Sequence, residues 1–356
     1  MMDGVPTPPF AYSPGMLAYS FGPQHPWKPE RLRRAVALCS ALMPDLVVSE
    51  PEGWDEGRLL DVHTEEYLDL VRRASHDPKV DWEDLYAHGI AEGDTPRFDG
   101  MYEAASLVCA GSDWAARQVV AGAPVAVNLG GGLHHAQPDR ASGFCVFNDC
   151  AVAINRLKKR FGRVAYVDID LHHGDGVQAI FWDDPDVLTY SIHESGRYLY
   201  PGTGFTHETG PRGNKFNAPM EPHTTGDTWL MTLRESLLPA IDAFKPGAVV
   251  LQMGCDAHTT DPLGHLDLID REWLDAVRLV AGLGLPLVAL GGGGYDLANV
   301  PRMWAAAVVV LAGGDPTVEV PVIENWTPRR LLTDVEPEPR RRGWDAAKKV
   351  VAELRE

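Results

Sequence analysis

The stretch YVDIDLHHGDG, from Tyr166 to Gly176, places three aspartates and two histidines directly after an apolar run. If that run is a strand, its side chains alternate between two faces, so Asp168, Asp170 and His172 point to the same side. Neighbouring carboxylates resist burial as anions, and a bound divalent cation removes the repulsion between them. Two aspartates and a histidine suit zinc, which accepts both kinds of donor. Salt-bridged aspartates beside a packed histidine are an equally good interpretation of this stretch alone.

Three further motifs carry residues that could complete such a site. Asp256 follows the apolar run 247–254 in MGCDAHTTD, where it is either a metal ligand or a helix N-cap. GGGLHHA places His134 and His135 after a glycine loop, as an acid–base pair oriented by carboxylates or as surface histidines. GGGGYD places Tyr295 on a glycine-rich segment. Its hydroxyl either stabilises a developing oxyanion or belongs to a half-buried core tyrosine.

All of these motifs follow apolar runs that are typical of buried strands. Five runs are nearly continuous in apolar residues, as parallel strands covered on both faces are: 123–132, 163–171, 186–193, 247–256 and 285–295. Helical patterns lie around and between them, at 100–121, 149–160, 227–244, 270–282 and 297–312. This alternation predicts an α/β protein with a parallel sheet. Such sheets bind ligands at the carboxyl ends of their strands, which is where the four motifs fall.

Composition indicates a globular protein and disfavours several partners. The chain has 356 residues, of which 45% are hydrophobic and 23% charged, so one large domain over 1–356 is expected. A net charge of −18 argues against binding nucleic acid or an anionic membrane. The chain shows no signal-peptide pattern and no apolar run of membrane-spanning length. Five scattered cysteines favour a reducing compartment, which we take to be the cytoplasm. The sequence leaves the oligomeric state open.

Taken in order, the motifs resemble those of the histone deacetylase superfamily, closest to its class I and bacterial acetoin-utilisation branch. The motifs that carry the resemblance are GGLHHA, SGFCVFND, DIDLHHGDG, YPGTG, GCD…DPLG and LGGGGY, with HPWKPERL near the N-terminus. The resemblance covers about residues 15–312. It implies the arginase/deacetylase fold, an α/β domain with a parallel eight-stranded sheet between helical layers. We expect the C-terminal tail 313–356 to pack on that core and to end in a helix at 343–355.

The resemblance also implies roles for the candidate residues. The implied metal ligands, for Zn²⁺ or in vivo Fe²⁺, are Asp170, His172 and Asp256. The implied catalytic group consists of a histidine pair, the aspartates that orient it and a carbonyl-polarising tyrosine: His134, His135, Asp168, Asp175 and Tyr295. A structural K⁺ would be bound by one hydroxyl and by main-chain oxygens: Ser191, with Asp168, Asp170 and His172.

Substrate-binding positions follow from the same resemblance. The acetyl-lysine tunnel would be formed by Gly143, Phe144 and Tyr200, with Leu263 at the rim and Arg31 beside an acetate exit channel. Tyr200 departs from the phenylalanine that is usual in the family. The family's rim aspartate aligns poorly, and Asp77 or Asp81 is the candidate for it. His173 has no implied role, and we expect it to pack or to form a hydrogen bond.

The activity implied by the resemblance is zinc-dependent hydrolysis that removes acetyl or other acyl groups from lysine side chains of proteins and releases acetate. The nearest alternative is an acetylpolyamine amidohydrolase, which acts on small acetylated amines. That branch usually carries RPPGHH where this chain reads GGLHH. An arginase-like enzyme with two manganese ions and a catalytically inactive acyl-lysine binder are the remaining alternatives.

Overall fold

The centre of the structure is one sheet of eight parallel strands, as predicted. The computed structural model describes residues 7–324, 326–333 and 340–355, so the ends of the predicted domain and parts of its tail lie outside the described residues. The strands are β1 (Phe10–Ala11), β2 (Val48–Ser49), β3 (Val125–Asn128), β4 (Val164–Asp168), β5 (Val187–Glu194), β6 (Lys215–Met220), β7 (Ala248–Gln252) and β8 (Leu287–Leu290). Their order across the sheet is β2-β1-β3-β8-β7-β4-β5-β6.

Helices cover both faces of the sheet. They are α1 (Glu30–Leu42), α2 (Glu65–Ala74), α3 (Trp82–Ala87), α4 (Met101–Val120), α5 (Asp149–Phe161), α6 (Asp175–Ile180), α7 (Gly226–Phe244), α8 (Asp270–Ala281), α9 (Val300–Leu311) and α10 (Trp344–Glu353). Alternate strand residues point to two separate cores, with Val167 in one and Tyr166 in the other. The first core includes α1, α7, α8 and α9, and the second includes α2, α4 and α5. In the described part of the chain, no helix combines the length and apolarity needed to cross a membrane.

The apolar runs locate the five interior strands and the helical patterns locate α4, α5, α7, α8 and α9 to within a few residues, but the apolar runs miss the edge of the sheet. Strands β1 and β2 have two residues each, too short to show a pattern. Strand β6 reads KFNAPM, whose polar residues interrupt the apolar run. The predicted helical patterns began at residue 100 and so omitted α1, a helix of 13 residues. Its first turns carry three arginines, one of them buried, which hides the helical period.

A buried ion pair ties the tail to the core. Arg302 on α9 donates from its guanidinium to the Asp270 carboxylate over 2.6 Å, and both side chains are almost fully buried. Arg302 also donates to the Leu331 carbonyl, and the Thr333 amide donates to Asp270. Residues 331–333 therefore add hydrogen bonds to both members of the ion pair and lie against α8 and α9.

Replacing Arg302 with leucine should destabilise the protein by about 3–5 kcal/mol, because the Asp270 carboxylate would stay buried without its cation. Equilibrium denaturation in guanidinium chloride measures this loss. Arg278→Leu is the matched control, since Arg278 makes a solvent-exposed pair on α8 worth about 1 kcal/mol or less. Equal losses in the two variants would show that the buried pair contributes no more than an exposed one.

Candidate active site

Four central strands end at one level, and the loops that follow them form the site. Register pairs the last residue of β4, Asp168, with Gln252 of β7; Gln252 pairs with Leu290 of β8; and Leu290 pairs with Asn128 of β3. Each predicted motif begins within a few residues of these positions. The topology thus brings together side chains that are up to 161 positions apart along the chain, from His134 to Tyr295.

Asp170, His172 and Asp256 form a buried group that could hold a metal ion. One ligand atom from each residue lies within 4.8 Å of the other two. His172 Nδ1 lies 3.2 Å from Asp170 Oδ1 and 3.0 Å from Asp256 Oδ2. Zinc accepts both carboxylate and imidazole donors, and its open sites have three protein ligands, so the residues fit a divalent cation. Strand β4 ends at Asp168, before this group, so the expected single row of strand side chains is wrong.

The electrostatics of this group favour a positive charge. Burial raises the pKa of Asp256, and the nearby Asp170 carboxylate adds to the effect, bringing the pKa to about 6. Burial opposes a charge on His172, but hydrogen bonds to Asp170 and Asp256 outweigh burial and raise its pKa to about 10. The two carboxylates thus favour a cation between them, and a divalent metal ion would supply it.

Backbone amides and one glutamine hold the two carboxylates in place. The Leu171 amide donates to Asp256 Oδ1 over 2.8 Å. Gln252 Nε2 and the Gly293 amide each donate to Asp170 Oδ2 over 2.7 Å. Position 293 requires glycine, because a Cβ atom there would lie 2.1 Å from the Asp256 carboxylate. The glycine-rich loop after β8 therefore approaches the metal group with its backbone.

Each histidine of the pair is bonded to its own aspartate. His134 Nδ1 lies 2.7 Å from Asp168 Oδ2, and His135 Nδ1 lies 2.6 Å from Asp175 Oδ1. The Nε2 atoms of the two rings face each other at 3.0 Å. All four side chains are largely buried. The arrangement leaves Nε2 of each ring as the atom available to the site.

The two histidines have opposite protonation preferences. Burial disfavours charge on His134, but the Asp168 and Asp170 carboxylates outweigh it and raise the pKa of His134 to about 9. Burial and the neighbouring His134 lower the pKa of His135 to about 4. The two environments thus favour a proton on His134 and a neutral His135, the opposed preferences of an acid–base pair.

The start of α5 fixes the loop that carries the histidines. Asn148 caps α5 by accepting from the Ala151 amide, and its own amide donates to the carbonyl of Ala136. Asp149 accepts from the amides of Gly132 and Leu133. Asn148 and Asp149, the last two residues of SGFCVFND, therefore hold the GGLHH loop in place.

Tyr295 and Arg31 lie on the side of the site formed by the glycine loop. The Tyr295 amide donates to the Asp261 carboxylate over 2.7 Å, and burial raises the pKa of the Tyr295 phenol, as the nearby Asp256 also does. Arg31 is buried and donates to the carbonyls of Gly292 and Gly294, over 2.9 and 2.8 Å. Its guanidinium carbon lies 5.7 Å from the centre of the Tyr295 ring. Arg31 thus supports the loop that positions the tyrosine.

Phe144 and Tyr200 approach the site from different loops. The Phe144 ring centre lies 5.8 Å from that of Tyr295, and the Tyr200 ring centre lies 5.1 Å from that of His135. Phe144 has a φ of 67°, a left-handed conformation that is unfavourable for an aromatic residue. Its amide donates to the Thr95 hydroxyl and its carbonyl accepts from the Tyr19 hydroxyl, so both neighbours hold the strained backbone.

Tyr200 carries a hydroxyl that the phenylalanine usual in the family lacks. This hydroxyl has a hydrogen-bond partner. It forms a close hydrogen bond with the Ser142 hydroxyl, which precedes Gly143 in the opposite loop. The unassigned His173 supports the loop that carries Tyr200, since its Nδ1 lies 2.8 Å from the Thr203 hydroxyl. His173 is thus hydrogen-bonded, one of the two alternatives expected for it.

Sequence reasoning missed Asp94. Its carboxylate accepts from the Gly143 amide over 3.0 Å, whereas Asp77 is exposed and caps the turn to Lys79. Asp81 is the N-cap of α3 and accepts from the Glu83 amide. The structure thus favours Asp94 over both predicted rim aspartates.

The remaining predicted positions lie near the site's edges. Leu263 is half-buried, and its amide donates to Asp261, the residue that also holds Tyr295. Ser191 pairs in register with Asp168, and its hydroxyl lies 2.8 Å from His193 Nδ1. Ser191 therefore lies near the backbone that follows β4.

Comparisons with known proteins show similarity to histone deacetylases over most of the chain. Residues 25–311 match the model of the histone deacetylase domain. The chain is 41% identical over 334 residues to the acetoin utilization protein AcuC of Bacillus subtilis (strain 168), covering 90% of this chain and 85% of that protein. It is 35% identical over 320 residues to the probable histone deacetylase 19 of Zea mays, covering 88% of this chain and 62% of that protein.

Histone deacetylase clr6 of Schizosaccharomyces pombe is also 35% identical, over 318 residues that cover 88% of this chain and 78% of that protein. The family match and these relatives define the class as deacetylases, hydrolases that act on acetylated substrates. This chain belongs to the histone deacetylase family.

Substituting Asp170 with asparagine should reduce bound divalent metal to well below one ion per chain, because the site loses one of its two anionic ligands. Elemental analysis of the purified protein after dialysis against zinc measures the metal directly. Asp175→Asn is the control, since Asp175 bonds to His135 and lies outside the metal group. Unchanged metal content in Asp170→Asn would contradict the assignment.

Proposed function

We propose that this chain is a metal-dependent hydrolase that removes acetyl or other acyl groups from lysine side chains of proteins and releases acetate. The observation that carries the proposal is the pair of buried histidines, each bonded to its own aspartate, beside the Asp170–His172–Asp256 group. Family membership supports deacetylation, and the similarity to AcuC supports a role in acetoin utilisation.

The metal would be held by Asp170, His172 and Asp256, as Zn²⁺ or, in vivo, Fe²⁺. When bound, it would polarise the acyl carbonyl and lower the pKa of a water molecule. Both metals accept carboxylate and imidazole donors, so metal analysis of the protein from its own cells would identify the ion.

The chain's own residues would move the protons. His135 Nδ1 donates to Asp175, so its Nε2 can accept a proton as water adds to the acyl carbon. The Tyr295 hydroxyl would donate to the carbonyl oxygen as it becomes an oxyanion. Breaking the C–N bond requires a proton on the departing lysine amine, and one of the two facing histidine Nε2 atoms would supply it. Acetate and the free lysine amine are the products.

The substrate path would run from Asp94 and Gly143 at the rim, between Phe144 and Tyr200, to the metal group. An apolar passage suits the neutral acyl-lysine stem and disfavours a charged lysine, whose desolvation is costly. We assign Asp94 the contact with the substrate backbone that was expected of Asp77 or Asp81. Arg31 lies beside a small cavity under Trp27 and Trp304 that could lead acetate away.

A structural K⁺ is part of the same proposal. Ser191 would bind it with main-chain oxygens of Asp168, Asp170 and His172, which follow each other in the turn after β4. A cation there would fix the turn that presents the metal ligands. Replacing K⁺ with a larger organic cation in the buffer should therefore lower thermal stability.

One observation favours a small substrate as the alternative. The net charge of −18 would attract acetylated polyamines, which are cationic. The deciding assay compares kcat/KM for an acetyl-lysine peptide with that for acetylputrescine, using protein of defined metal content. A higher value for the peptide supports the protein deacetylase, and the reverse supports the amidohydrolase.

His135→Ala should lower kcat for an acetyl-lysine peptide by about 10²–10⁴-fold, the range of a lost general acid–base residue, and should leave the metal bound. Turnover of a short fluorogenic acetyl-lysine substrate, with metal analysis of the same sample, measures both. His76→Ala is the control, because His76 pairs with Glu103 on the surface. Retained activity in the His135 variant would overturn its assigned role.

Tyr295→Phe should lower kcat by about 10²–10³-fold and change KM little, because the hydroxyl contact strengthens in the transition state. Steady-state kinetics on the same peptide separate the two parameters. Tyr198→Phe removes a hydroxyl from a half-exposed tyrosine and serves as the matched control. A rise in KM with unchanged kcat would assign Tyr295 to binding instead.

A further inference from the structure

A surface groove beside α3 exposes two large aromatic side chains. Trp82 and Tyr86 are 71% and 70% exposed, and α3 buries none of its residues. With Ile90, Glu92 and Arg97, among others, they line one continuous groove. Exposed aromatic residues grouped in one groove are typical of a binding surface.

The groove adjoins the rim of the active site. It is lined in part by the loop 90–97, which closes on itself through a hydrogen bond from the Ala91 amide to the Thr95 carbonyl. The tip of this loop carries Asp94 and Thr95, which accept from the amides of Gly143 and Phe144. One side of the loop therefore supports the substrate passage, and the stems of the loop face α3.

The distance from Asp94 at the rim to the groove is one that a nearby residue of a peptide substrate can span. Consecutive Cα atoms are 3.8 Å apart, so Glu92 and the stem at position 96 each lie within about 8 Å of Asp94. An extended peptide advances about 3.3 Å per residue. A side chain two to four residues from the acyl-lysine would reach the groove.

The groove's surroundings are anionic. Segment 77–99 carries seven carboxylates and two cationic side chains. Within the groove, the Glu92 carboxylate and the Trp82 and Tyr86 rings form no hydrogen bond or ring contact with other described side chains. The Arg97 guanidinium is held by the Asp77 carbonyl, over 2.9 Å. Aromatic faces beside a free carboxylate are a recognised arrangement for binding a cationic side chain.

We propose that this groove docks an arginine or lysine of the protein substrate, two to four residues from the acyl-lysine. The cation stacks on Trp82 or Tyr86 and pairs with Glu92. This inference rests on the proposed function and adds a sequence preference to it. A second copy of this chain is a poor occupant, since it also carries a charge of −18 and the segment would face a like charge.

The test compares two acetyl-lysine heptapeptides, one with arginines three residues on either side of the central acetyl-lysine and one with alanines there. A short fluorogenic acetyl-lysine substrate, too small to reach the groove, is the reference. In Trp82→Ala and Glu92→Gln, we expect KM for the arginine peptide to rise about three- to fivefold, as for a lost cation–π contact or exposed ion pair. Values for the alanine peptide and the short substrate should stay unchanged.

Matched controls separate this effect from general changes in charge or folding. Glu66→Gln removes an exposed carboxylate from α2, and Leu60→Ala removes an apolar side chain that is 56% exposed. Neither should alter the preference for the arginine peptide. Thermal unfolding of the groove variants should match the original protein, because α3 buries no residue.

Three results would overturn the inference. These are no preference for the arginine peptide in the original protein, an equal KM rise for all three substrates, and a dimer in sedimentation that Trp82→Ala dissociates. A protein inactive on every acyl-lysine substrate would instead overturn the proposed function, and the short reference substrate identifies that case.

Discussion

The site depends on the burial of two carboxylates, Asp170 and Asp256, at the end of the central strands. Their mutual repulsion must be balanced, and the structure does so with hydrogen bonds from amides, a glutamine and His172. Those donors come from the loop after β4, from the last residue of β7 and, for Gly293, from the loop after β8, because no single segment can surround two carboxylates. A cation between them would supply what the donors cannot, and its binding would then be coupled to local order.

The same constraint accounts for the glycines and for the layout of the loops. A backbone amide can reach the Asp170 carboxylate from position 293 only if that residue has no side chain. Arg31 donates two hydrogen bonds to carbonyls of the same loop, those of Gly292 and Gly294. The loop is polarised, with amides toward the anions and carbonyls toward a buried cation, and Tyr295 follows directly from it.

Much of this arrangement was predictable, and the rest depended on long-range contacts. Continuous apolar runs predicted the interior strands, and parallel topology then placed the four motifs at one edge. Spacing alone placed Asp168 in a row with Asp170, whereas the chain turns after Asp168 and directs that carboxylate to His134. Asp94 escaped prediction because its position depends on a hydrogen bond to Gly143, 49 residues away, and its loop has no periodic pattern.

Loop 90–97 contacts both the proposed substrate passage, at Gly143 and Phe144, and the groove beside α3. Phe144 adopts a strained backbone that Thr95 helps to hold, so the wall of the passage is only as well ordered as this loop. The stems of the loop line a groove whose aromatic faces lie open to solvent. A substrate residue bound there would order the loop, and through Thr95 it would also stabilise Phe144. Long substrates would thus gain affinity and a better-formed passage from one contact, which a small acetylated amine cannot make.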